Sequence, residues 1–140
     1  MKNLLLTIFI SFVCLMVSKA QVTGLWKSTD HLDDIERSIV LIYEKNGKIY
    51  GRIEKLLPAA TITHCTGCEG ELKNKSLVGM IIISDLTKNG NEASGGKILD
   101  PSNGKWYSCD IDLESPDKLK VTGYLVLPLL GKAMYWNRVK

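Results

Sequence analysis

Apolar and polar residues alternate along most of this chain, and turn signals interrupt the alternation about every ten residues. No segment after residue 20 carries a long apolar stripe of helical period, so the pattern predicts an all-β fold. The predicted strands are Val22–Ser28, Arg37–Lys45, Lys48–Leu56, Val78–Asp85, Glu92–Leu99, Lys105–Glu114, Lys118–Val126 and Lys132–Val139. Asn46-Gly47 joins the second and third, the strongest short hairpin signal a sequence offers. On the third strand Ile49 and Ile53 share the core face. On the sixth, Tyr107, Cys109, Ile111 and Leu113 face inward, and on the seventh Leu119, Val121, Gly123 and Leu125 do. Gly95-Gly96 predicts a bulge or a bend in the fifth strand. Met80-Ile81-Ile82-Ile83 makes the fourth apolar on both faces, as if something covered its outer side. Eight consecutive strands with mostly short connections predict an antiparallel up-and-down β-barrel. Such a barrel has no free edge, and its interior is filled by side chains or by one small ligand. The exception to the short connections is the stretch from Pro58 to Leu77, a length usually reserved for functional or disordered loops.

The start of the chain reads as an address. Lys2, the apolar run Leu4–Val17 and the small residues Ser18 and Ala20 form a secretory signal peptide, with cleavage expected before Gln21. As a helix the apolar run would rise only about 21 Å, short of the roughly 30 Å hydrocarbon core, so it does not read as an anchor. Lipidation at Cys14 is disfavoured by the bulky Phe12 and Val13 before it. The expected layout is a signal peptide over 1–20 and a single barrel domain over 21–140, periplasmic or secreted. Composition agrees with a folded core, at 24% charged and 45% hydrophobic residues. Removing Lys2 and Lys19 from the 18 basic residues leaves 16 against 15 acidic ones, a net charge of +1. That balance gives no footprint for nucleic acid and no polybasic patch for a membrane.

Several elements resemble known patterns. Gly24-x-Trp26 in the first strand and Arg138 in the last are similar to the Gly-x-Trp and closing arginine of lipocalin-like, calycin-type barrels. The same resemblance extends through Ile42–Ile53, Cys65-x-x-Cys68-x-Gly70, Gly95–Lys105, Leu119–Tyr124 and Trp136-x-Arg138. Together they resemble the bacterial exported family known as domain of unknown function 2147. The resemblance implies a lipocalin-like barrel, an exported location and no assigned activity. It also implies that Gly24, Trp26, Trp136 and Arg138 close the barrel structurally, the arginine lying over the indole as a cation–π contact. Leu127-Pro128-Leu129-Leu130 departs from the glycine- and aromatic-containing turn of the family.

The residues carry little recognisable chemistry. Gly90–Lys97 is not a phosphate-binding loop, because Ile98 stands where a magnesium-binding hydroxyl is needed and no helix follows. No nucleophile elbow is present, and a serine hydrolase would have only His31 and His64 to draw on. Asp30, Asp33, Asp34 and Glu36 lack the spacing of a calcium loop. Asp110 and Asp112 face outward, away from any cleft. The informative cluster is His64-Cys65-Thr66-Gly67-Cys68. In an oxidising compartment Cys65 and Cys68 read first as a disulfide, which over so short a loop is worth only about 2 kcal/mol. A zinc or copper site borrowing His31 and a redox-active thiol pair are the alternatives. Cys109 is then a buried free thiol. No catalytic residue, cofactor or metal is predicted.

The function expected from these features is a binding module for a small apolar or amphipathic ligand, with Ile49, Ile53, Val121 and Leu125 as the expected lining. The alternative is a cell-envelope structural or protein-interaction domain whose barrel is filled by its own side chains.

Overall fold

The computed structural model describes residues 19–140, so the expected signal peptide lies, up to residue 18, outside the described residues. The strands are β1 (Gly24–Ser28), β2 (Ser38–Lys45), β3 (Lys48–Leu56), β4 (Ile81–Asn89), β5 (Glu92–Asp100), β6 (Lys105–Ser115), β7 (Lys118–Tyr124) and β8 (Lys132–Arg138). Each pairs antiparallel with the next, and β8 returns to β1 through Trp26–Arg138 and Lys27–Asn137, closing an eight-stranded up-and-down barrel. Among the described residues no helix is long and apolar enough to cross a membrane.

The connections sort by length to opposite ends. The tight turns at 46–47, 90–91 and 116–117 lie at one end, together with both ends of the domain. The longer loops 29–37, 57–80, 101–104 and 125–131 lie at the other. We call these the plugged end and the mouth. The β2–β3 hairpin turns as its sequence requires, with Asn46 at φ 52° and Gly47 at φ 76°, the left-handed pair that matches strand twist. The predicted irregularity in β5 is present: the β5–β6 register slips between Ala93 and Gly96. Gly96 must be glycine, since a Cβ there would collide with the Ser84 carbonyl oxygen.

Most predicted strand ends move by one or two residues, and two of the differences bear on the interior. The fourth runs Ile81–Asn89, not Val78–Asp85. Its register against β3 slips twice, and Asp85 sits at φ 58°. Bulges reset which way successive residues point, so the adjacent Ile82 and Ile83 are both buried while Ile81 is exposed. The double apolar character of this strand thus reflects a change of facing and not a covered outer side. The seventh strand stops at Tyr124, so Leu125 is not an inward strand residue. Its partner β8 begins only at Lys132, opposite Gly123, which leaves Leu125 and Val126 without a ladder to join.

The interior at the plugged end is solid. Val22, Trp26, Ile49, Leu86, Leu119 and Val121 are all fully buried there. The remaining core residues continue from this plug toward the mouth, where the packing opens.

Candidate functional site

The barrel holds a cavity of about 710 Å³ at its mouth, within the usual range for small-molecule sites. Its wall includes Ile53 from β3, Ile82 from β4, Ile98 from β5, Tyr107 from β6, and Met134 and Trp136 from β8. The loops add Leu32, Ile62, Leu77, Leu125 and Leu130 at the rim. The strand bulges matter here, because the slipped register of β4 is what brings Ile82 onto the wall. Most polar groups at the site are engaged within the protein. The Trp136 indole N–H donates to the Thr29 carbonyl at 3.2 Å, the Thr29 hydroxyl donates to the Tyr135 carbonyl at 3.1 Å, and the Asn103 amide donates to the Tyr107 hydroxyl at 3.0 Å.

Beside the cavity, Arg37 is paired with two carboxylates of its own loop, leaving the cluster net negative. Arg37 grips Asp33 with two nitrogens at 2.8 and 2.9 Å and reaches Asp30 at 3.0 Å. The hydrogen bonds from Arg37 hold the Asp33 carboxyl down at about 2, with a further bond from the Ile35 N–H acting the same way. Asp30 also accepts the backbone N–H groups of Leu32 and Asp33. Loop 29–37 is therefore shaped by its own ion pairs, and Arg37 is occupied.

The second long loop is held from the opposite side. Cys65 and Cys68 are joined as a disulfide and both are buried. The ring they close packs on the 101–104 turn so tightly that a Cβ on Gly104 would collide with the Gly67 carbonyl oxygen. With its cysteines joined, the loop holds neither two thiolates for a metal nor a free thiol pair. His64 turns instead to the Thr63 hydroxyl, 2.9 Å from its Nδ1, while His31 lines the cavity. Among the described residues no cluster of three or more His, Cys, Asp or Glu is arranged to hold a metal ion. Cys109 is free and fully buried, and burial pushes its thiol pKa far up, into the unreactive form.

The expected lining residues divide. Ile53 and Leu125 are on the cavity wall. Ile49 and Val121 are not; they lie fully buried in the plug. Sequence alternation places all four on one face of their strands but carries no information on height along the barrel axis, and height decides between plug and wall. Tyr107 is legible in the sequence as an inward residue. Met134, Ile62 and Leu77 carry no comparable signal, two of them because they come from the long loop.

The family model of the proteins described as uncharacterized protein conserved in bacteria (DUF2147) matches residues 24–138. The chain belongs to this family. A solved structure described as protein HP1028 from the human pathogen Helicobacter pylori, which belongs to the lipocalin family, is similar to it with a TM-score of 0.76 and 25% sequence identity. The likeness covers 87% of this chain and 85% of that one. No curated protein matches the sequence.

In this DUF2147 barrel Gly24, Trp26 and Arg138 meet at the plugged end. The Arg138 guanidinium lies 4.2 Å from the centre of the Trp26 ring. It also donates to the carbonyls of Gln21, Thr23 and Pro116 at 2.6, 3.0 and 2.7 Å. Trp26 donates in turn to the Val22 carbonyl at 2.9 Å. Gly24 lies under the arginine: a Cβ there would meet an Arg138 nitrogen at 2.6 Å. Trp136, expected with this group, stands on the cavity side instead.

Proposed function

We propose that the protein is exported, that residues 1–20 are removed as a signal peptide, and that residues 21–140 form one periplasmic or secreted barrel domain that binds a small apolar or amphipathic ligand at its mouth. The observation that carries this reading is the apolar cavity of about 710 Å³ above a solid plug. A barrel serving only as a scaffold has no need to leave that volume unfilled, because interiors normally pack to crystal-like density. The disulfide and the likeness to a lipocalin-family structure support the compartment and the class of ligand. A second reading, an envelope interaction domain that takes no ligand, draws on the exposed apolar loop 125–130. No catalytic residue, cofactor or metal is part of either reading.

Native mass spectrometry of the exported protein, before and after organic extraction, tests both export and binding. The expected results are a chain beginning at Gln21 with one internal disulfide, and an adduct that extraction removes. Titration with a long-chain fatty acid should then change the fluorescence of Trp136 and saturate at one equivalent. A bare chain with neither adduct nor response to fatty acid would overturn the ligand reading.

A further inference from the structure

The inner end of the cavity carries a polar feature that its largely apolar wall does not explain. Trp26 and Val40 pair across β1 and β2, are fully buried and do not border the cavity. The next inward-facing pair on the same strands, one step toward the mouth, is Ser28 with Ser38. Both serines line the cavity, and they are only 8% and 7% exposed. A hydroxyl pair thus sits where the plug ends and the empty volume begins.

This pair has one more hydrogen than it can place well. The two Oγ atoms lie 2.5 Å apart, so one hydroxyl donates to the other. For the second hydrogen the best acceptor among the described residues is the Ser38 carbonyl, 3.4 Å from the Ser28 Oγ. Hydroxyl donors normally sit about 2.7–2.8 Å from their acceptors. A buried donor met so poorly gains free energy when an oxygen enters the cavity beside it.

Charge decides what kind of oxygen fits. Loop 29–37 joins the two serines and holds Asp30, Asp33, Asp34 and Glu36 against one arginine, Arg37, which Asp33 and Asp30 already engage. Lys27 reaches Glu36 from β1, and the group stays net negative even so. The other cation on the cavity wall, Lys132, is too far away to help. The β1–β8 register, carried on from Lys27–Asn137, sets Trp136 level with Ser28. Lys132 stands four residues nearer the mouth, about 13 Å along the strand. A carboxylate at the serines would lose its water, face a negative loop and find no free cation. An uncharged oxygen avoids all three costs.

We infer that Ser28 and Ser38 form a subsite for an uncharged oxygen, a hydroxyl or an ester carbonyl, so that the ligand class is a neutral amphiphile whose oxygen reaches the inner end of the cavity. This rests on the ligand reading of the cavity. A fatty acid still enters, but its carboxylate is not what the inner end is built to receive.

The test is calorimetric titration with decanol and with decanoate at neutral pH, on wild type and on S28A/S38A. Wild type should bind one equivalent of either compound, decanol more tightly. S28A/S38A removes both partners of the pair and orphans neither, so its melting point should hold. Its affinity for decanol should fall about fivefold while that for decanoate is largely kept, so the preference for the alcohol shrinks. In the wild type alone, the backbone amide resonances of Ser28 and Ser38 should shift on adding decanol, a readout that does not need the variant to fold. Decanoate bound as tightly as decanol, an unchanged preference in S28A/S38A, or shifts confined to the rim would overturn the subsite and leave the ligand reading standing. Binding of neither compound would overturn both.

Discussion

Ile49 and Ile53 stand on the same strand and face the same interior, four residues and about 13 Å apart along it. Ile49 is locked in a plug with Trp26, Leu119 and Val121, while Ile53 borders an open cavity. The plugged end has tight turns and a cationic clasp that ties both ends of the domain together. The mouth has long loops, each held by its own local device, an ion-pair cluster in one and a disulfide in another. The difference separates a packed plug from an open cavity along one axis. The plug is packed without a cavity, whereas the mouth keeps empty volume between buried side chains.

The largest break in this division comes from the clasp. Trp26→Ala removes a fully buried ring and the platform under Arg138, and should cost about 4 kcal/mol in urea unfolding. A loss under about 1 kcal/mol would show that the plug does not dominate stability. The two isoleucines sharpen the comparison directly. Ile49→Ala should cost about 3 kcal/mol and leave fatty-acid binding unchanged. Ile53→Ala, whose side chain already borders empty volume, should cost less than about 2 kcal/mol and change the affinity. Equal costs with equal effects on binding would erase the distinction between plug and wall. Removing the disulfide with the pair Cys65→Ser and Cys68→Ser should lower stability by about 2 kcal/mol at most, read from the urea midpoint, because the ring closed is so short.

The smallest effect concerns pH at the mouth. Because the folded Asp33 carboxyl is held down at about 2, its contribution is complete above the ordinary carboxylate range and fades as the pH falls toward that value. NMR titration should place the Asp33 midpoint near about 2, and Arg37→Met should return it toward the ordinary range. A midpoint unmoved by Arg37→Met would mean that the ion pair does not shape loop 29–37.

The strand order was legible because most strands carry clean alternation and decisive turns. Asn46-Gly47 and Gly95-Gly96 announce their backbone geometry through residue types that few other conformations favour. The fourth strand resisted because Met80–Ile83 has no polar residue to mark facing, and because Asp85 enters the left-handed region without a glycine to signal it. Leu125-Val126 read as strand on propensity alone, but propensity supplies no partner, and β8 starts too late to provide one. The cavity was the least legible feature. A residue that fills a barrel and a residue that lines a void are the same hydrophobic letter, and what separates Ile49 from Ile53 is the three-dimensional distance to the loops of the mouth.

The clasp of Arg138 on Gln21 and Thr23 holds the entry to β1 and the exit from β8 together on the side opposite the mouth. An affinity tag, a surface linker or a fused reporter joined just before Gln21 or after Lys140 would therefore hold the barrel with its opening pointing away from the support. Immobilised in that orientation, the domain presents its whole entrance to solution, whereas an attachment through the 125–131 loop would block it.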